Sequence, residues 1–260
     1  MRKILTLLLS LVIVSLITAC ETLTPAQELQ MGREEHGKIE KQSGGLYPDP
    51  QIQQYVQTVG QRLAHFAGRP DMDWQYRVVN SDEINAFAVP GGYIYINYGL
   101  LKRLHSEAQL AGILGHETSH IAHRDTVQQI ERTQGANVLS TAAGVAGSLA
   151  GFGAAGNIAG VATQLALLSY DRDQEKQADL TGLQYMVQAG YDPAGMLQAM
   201  QIIKSASTGG RAPAFLSTHP DPGDRLQYLK KAVDANYSAA GKTGKDGVED
   251  FQANVLSHAH

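Results

Sequence analysis

Hydrophobic positions along this chain change rhythm from segment to segment, and each rhythm predicts an element. Ile4 to Ala19 is an uncharged apolar run behind Arg2 and Lys3. It is too short for a comfortable membrane span but suits a secretory signal over residues 1–19. Thr24-Pro25-Ala26-Gln27 then opens a helix, with Thr as the cap, Pro at the first helical position and Gln at the third. This helix is predicted to run to about Lys41, before Ser43-Gly44-Gly45. Asp49-Pro50 starts a second helix, whose buried face is Ile52, Tyr55, Val56, Val59 and Leu63 at three- to four-residue spacing. Strand formers follow in three short runs: Trp74 to Val79, Ala86 to Val89 and Tyr93 to Ile96, the last two joined by a Pro90-Gly91-Gly92 turn.

From Ser106 the pattern is helical again, and no Pro or helix-ending Gly appears before Gly135, so one continuous helix is expected. Thr133 to Tyr170 carries no charged side chain and holds ten Ala and seven Gly. Two closely packed helices of small residues are expected there, buried or lying over a cleft, with contact to lipid or an unfolded client as the alternative. Asp171 to Gln188 and Ala194 to about Ala206 read as helices. Then come a tight loop at His219-Pro220-Asp221-Pro222-Gly223, a further helix from Asp224, and a weakly patterned, mobile tail over 238–260.

Composition narrows the function. The chain has 260 residues, 43% hydrophobic and 18% charged, which suits one globular domain over 20–260. Loss of residues 1–19 takes the basic count from 21 to 19 against 25 acidic residues, a net charge of −6. That balance argues against nucleic acid as a partner. Cys20 is the only cysteine, so an intrachain disulfide and a cysteine zinc finger are both excluded. Ile17-Thr18-Ala19-Cys20 resembles a bacterial lipobox, in which Cys20 is acylated and becomes the mature N-terminus. Acyl chains there would hold the protein to a membrane, at ~0.8 kcal/mol per buried CH₂. Glu21 in the next position favours the outer membrane by the same resemblance.

The chemistry centres on His116-Glu117-Thr118-Ser119-His120. Two His four apart lie one turn apart on one helix face and can converge on a single Zn²⁺. Glu117 adjoins the first ligand and can take a proton from water activated by the metal. A catalytic zinc needs a third protein ligand and an open position. A metzincin arrangement fails, because His123 and Thr126 stand where it needs Gly and His. A downstream Glu followed four residues later by Asp fits: Glu175 as third ligand, with Asp179 accepting the Nδ1–H of His116. His123 lies three residues beyond His120, about 4.5 Å further along the axis, and is not expected on the same metal.

The pairing of His-Glu-x-x-His with Glu-x-x-Ala-Asp resembles the gluzincin peptidases of the HtpX and CAAX prenyl protease family, among them membrane-tethered periplasmic proteases of the BepA and LoiP type. The likeness runs from about Asn85 to Leu229. It takes in Asn85-Ala86-Phe87-Ala88, Pro90-Gly91-Gly92, Ser217-Thr218-His219-Pro220 and Arg225. Asp125 departs from the His that such proteins often carry after Arg. The resemblance implies a mainly helical α+β fold, a zincin-like domain with a small sheet beside the zinc helix. It also implies a zinc endopeptidase acting on misfolded or misassembled envelope proteins. By the same resemblance His219 lies near the metal, either filling the fourth position or stabilising the tetrahedral intermediate. Arg225 either stabilises the oxyanion or pairs with an acidic group such as Asp179. Asn85 to Ala88 is the candidate edge along which an extended peptide could bind through its backbone. The competing class is a chaperone-like client-binding protein with a structural zinc, which would have no need of Glu117.

Overall fold

The computed structural model describes residues 22–133, 169–207, 212–220, 224–237 and 244–258. The signal over 1–19, the lipidation site Cys20 and nearly all of the uncharged stretch 133–170 lie outside the described residues. Among the described residues no helix is long and apolar enough to cross a membrane.

Helix α1 (Pro25–Gln42) begins where its capping box demands: the Thr24 side chain accepts from the Gln27 N–H and the Gln27 side chain reaches back to Thr24. Asp49 caps α2 (Pro50–Ala64) by accepting from the N–H groups of Gln51 (2.8 Å) and Ile52 (3.1 Å). The strands are β1 (Gln75–Val79), β2 (Ala86–Val89) and β3 (Tyr93–Asn97), in the spatial order β1-β3-β2. β2 and β3 form an antiparallel hairpin with Ala86 opposite Ile96, while β1 runs parallel to β3 with Gln75 opposite Tyr93. Gly91 and Gly92 both have positive φ (86° and 96°), as this turn requires.

The two edges of this sheet differ. Along β1, α2 supplies glutamines that complete the backbone hydrogen bonds. Gln57 accepts from Tyr76 N–H (2.7 Å), and Gln53 both accepts from Val78 N–H (2.9 Å) and donates to Val78 C=O (2.8 Å). Among the described residues no strand pairs with the outer side of β2.

After β3 come the short α3 (Tyr98–Leu101) and then α4 (Glu107–Ala122), capped by Ser106. Every α4 residue from Glu107 to Ile121 is buried, polar ones included. It packs against β2 and against α5 (Arg172–Gln188) and α6 (Ala194–Ala206). The crossing with α5 is backbone on backbone: a Cβ added at Gly182 would sit 2.7 Å from His116 N, and one at Gly115 would sit 2.9 Å from Gly182 O. Only glycine at both positions allows that approach. α7 (Ala214–Thr218) and α8 (Arg225–Asn236) close the far side.

Two expectations are corrected here. The continuous helix expected from Ser106 to Gly135 ends at Ala122: Arg124 takes a left-handed φ of 60°, and a new helical stretch covers 125–133. The tail expected to be weakly patterned carries α9 (Val248–Asn254) in its described part, because Phe251 is an apolar anchor, fully buried in the main core. The mainly helical α+β class with a small sheet beside the zinc helix agrees with expectation.

Candidate metal centre

His116, Glu117 and His120 project from α4, Glu175 and Asp179 from α5, and His219 from the C-terminal cap of α7. All six are buried. His116 Nε2 lies 3.1 Å from His120 Nε2 and 3.6 Å from Glu175 Oε2, while His120 Nε2 lies 3.3 Å from the other oxygen, Glu175 Oε1. Tetrahedral ligands at about 2.0–2.1 Å from zinc stand about 3.3–3.4 Å apart, so the two imidazole nitrogens and the carboxylate are close enough together to serve one ion. His219 Nδ1 completes the group, 3.2 Å from His116 Nε2 and 2.8 Å from Glu175 Oε1. One ligand atom from each of the four residues lies within 4.8 Å of the others. Three imidazoles and a carboxylate are a donor set that zinc favours.

Glu117 supplies a second test of fit. Both of its oxygens are buried and lack any hydrogen-bond partner, with Oε1 3.5 Å from His219 Nε2. A charged group left so in a protein interior is costly unless a cation or a water bound by one completes it.

Behind each α4 ligand stands an aspartate. His116 Nδ1 meets Asp179 Oδ1 at 2.9 Å. Asp179 is itself held by Arg225 Nη2 (2.5 Å) and by the Tyr228 hydroxyl. Arg225 Nη1 also lies 3.3 Å from Glu175 Oε2. His120 Nδ1 meets Asp125 Oδ2 at 2.8 Å. The sequence reading passed over Asp125, because a residue five places along a continuous helix points about 140° away.

Residues 50–233 match the model for peptidase family M48. The chain belongs to that family. It is 33% identical over 219 residues to the beta-barrel assembly-enhancing protease of Escherichia coli (strain K12), a match covering 80% of this chain and 44% of that protein. It is 30% identical over 186 residues to the mitochondrial metalloendopeptidase OMA1 of Schizosaccharomyces pombe, covering 68% of this chain and 52% of that one. It is 24% identical over 161 residues to the metalloprotease LoiP of Escherichia coli, covering 62% and 63%. The chain thus spans under half the length of the assembly-enhancing proteases it matches. M48 membership and the four-residue cluster agree in calling for one zinc per chain.

Electrostatics separate the two α4 histidines of this cluster. Burial dominates at His116 and lowers its pKa, outweighing Glu175 and Asp179. Burial also opposes the charged form of His120, but Asp125 and Glu175 win and raise it to about 9. Asp179 is held below the ordinary carboxylate range: burial works against this, and Arg225 and His116 prevail.

Tyr170 was also missed. Its ring stacks on His120 with centroids 3.7 Å apart and planes 7° off parallel, and its hydroxyl lies 2.9 Å from Thr126 Oγ1. It stands at the end of the uncharged stretch with no spacing signal. His123 is outside the cluster and lies 3.2 Å from Ser119 Oγ. Ala86 and Ala88 turn their side chains into the core, while Asn85 and Phe87 line a cleft of 760 Å³. Across that cleft stand Ala214, Ser217 and Thr218 of α7, next to His219. α7 is tied to the start of β2 by Phe215 N–H to Ile84 C=O (3.1 Å).

Proposed function

We propose that this chain is a zinc-dependent endopeptidase whose single domain spans residues 20–260, tethered by an acylated Cys20 on the periplasmic side of a bacterial outer membrane. The observation that carries the enzymatic reading is Glu117, a buried carboxylate with no partner beside a complete set of zinc ligands. A structural zinc in a client-binding chaperone would have no use for it. The relative named for enhancing beta-barrel assembly supports misfolded or misassembled envelope proteins as the substrate class.

His116, His120 and Glu175 hold the zinc, which when bound supplies a Lewis acid that polarises a peptide carbonyl and lowers the pKa of water. Glu117 takes a proton from the attacking water as oxygen adds to the carbonyl carbon. The same proton then goes to the leaving nitrogen as the C–N bond breaks. Asp179 accepts from His116 Nδ1 and fixes its tautomer. An extended substrate adds along the open edge of β2, Asn85 to Ala88, and occupies the cleft beneath α7. Backbone pairing of this kind reads main chain rather than side chain, which suits a protease for unfolded clients. His219 sits on the ligand set and would act as a latch, able to join the three ligands in holding the metal at rest; its Nδ1 distances to His116 and Glu175 support this over a purely transition-state role.

The test is cleavage of casein or an unfolded client with and without chelator, alongside Glu117→Gln. The variant should keep zinc and lose ~10²–10⁴-fold in turnover; turnover within about tenfold of wild type would exclude a general base. His219→Ala should keep zinc and raise basal cleavage. A loss of ~10²–10³-fold there would assign it to the transition state instead. An unmodified Cys20 in the mature protein by mass spectrometry would remove the tether.

A further inference from the structure

The helix break at Arg124 has an anchor far from the zinc ligands in sequence. Among the described residues Arg124 is the only non-glycine with positive φ, a region that L-residues avoid. Asp125 depends on this turn, since a continuous α4 would aim residue 125 away from His120. In the observed turn Asp125 is 1% exposed, with Oδ2 on His120 Nδ1 and Oδ1 3.4 Å from Gln174 Nε2.

Two attachments hold the Arg124 side chain, and both come from the beginning of the described chain. Its Nε donates to Glu28 Oε2 at 2.9 Å and its Nη2 donates to Leu23 C=O. Leu23 is fixed in turn by its own N–H on Glu131 Oε1 (2.7 Å). Glu28 is 1% exposed on α1, and the same oxygen receives Arg69 Nη2 at 3.2 Å. Arg69 Nη1 reaches the Ile121 carbonyl in the last turn of α4 (3.4 Å). A buried carboxylate that no catalytic step uses is therefore clamped onto the end of the zinc helix by two arginines.

We propose that Glu28 is a positioning residue for the zinc centre, holding Arg124 in its left-handed turn so that Asp125 faces His120. The proposal rests on the zinc reading of the site but not on peptidase activity, and its test needs no substrate.

In the full mature chain, Glu28→Ala should weaken zinc binding about tenfold. That is the low end of the 10–100-fold known for residues that contact a ligand directly, because Glu28 acts one residue further out. Arg124→Ala should cost about the same. The double variant should be no weaker than either single, because both break one link. With Co²⁺ in place of zinc, Glu28→Ala should shift the visible absorption bands in the same direction as Asp125→Asn, a signature that general loosening of the fold would not reproduce. Zinc affinity of a folded Glu28→Ala protein within twofold of wild type would overturn the proposal. So would additive losses near a hundredfold in the double variant. If Glu28→Ala does not fold, Glu28→Gln carries the same measurements with the shape retained. Wild type that binds zinc but cleaves nothing would sink the peptidase reading alone; wild type with no zinc affinity would sink both.

Discussion

His116 and His120 are one turn apart on the same helix, and each gives its Nδ1 to an aspartate, yet the two aspartates arrive by opposite routes. Asp179 comes from a neighbouring helix, one turn along from Glu175, and is braced by Arg225 and Tyr228. Asp125 comes from the chain just beyond the zinc helix and reaches back only because that helix stops. One ring is oriented by tertiary packing, the other by a backbone turn. The first arrangement fails if a packed ion pair is broken, the second if a dihedral angle relaxes.

The largest expected effect erases the comparison. His116→Ala and His120→Ala should each take zinc content from about one per chain to near zero by metal analysis; full retention in both would refute the ligand assignment. Next, Asp179→Asn and Asp125→Asn should each weaken zinc ~10–100-fold in chelator competition, but only the first should also lower thermal stability steeply. It strips a buried Arg225 of its main partner, a loss of the ~3–5 kcal/mol class, whereas His120, the partner of Asp125, can shed its proton when that partner goes and the guanidinium cannot. Equal melting temperatures for the two variants would mean that the routes are energetically alike.

Protonation sharpens the contrast further. In the metal-free protein His120 stays protonated up to about pH 9 while His116, lowered by burial, is neutral at pH 7. Zinc takes a neutral imidazole, so uptake at pH 7.5 should expel about one proton. Affinity should then fall about tenfold for each unit of acidification below 9. Calorimetry in buffers of different ionisation enthalpy counts that proton, and Asp125→Asn should lower the count, with Glu175 retaining part of it. The smallest effect belongs to Tyr228→Phe. It removes one hydroxyl from Asp179, costs ~1 kcal/mol of stability and leaves proton release unchanged.

The same contrast marks what the sequence could tell. His116 and His120 stood out because they lie one turn apart on one helix, and Glu175 and Asp179 because the same spacing recurs downstream of that His-Glu-x-x-His motif. Asp125 was not: the break that aims it uses Arg124, a residue with no left-handed preference, and its cause lies at Glu28 and Leu23, about a hundred residues away. The strand runs were readable, but not that β3 would be central and β2 an open edge, since order in a sheet depends on long-range pairing. His219 entered only through family resemblance, because nothing in its spacing from the other ligands fixes where a loop will fold. Phe251 and Val255 show the converse: two apolar residues in a polar tail enter the core, and backbone hydrogen bonds from Lys245 and Asp246 fix the segment beside them.

The contact between Gly115 and Gly182 has a consequence for how such a protein can change over time. The separation between the helix bearing the two histidines and the helix bearing Glu175 is set by main chain touching main chain, so it does not depend on which side chains fill the surrounding core. Leucines, isoleucines and methionines around the crossing can be exchanged over generations without altering the bite offered to the metal. The two glycines carry that dimension alone, and even a methyl group at either would separate the histidines from the glutamate. As far as this spacing is concerned, sequence drift is free in the core around the crossing and forbidden at two positions that touch no metal.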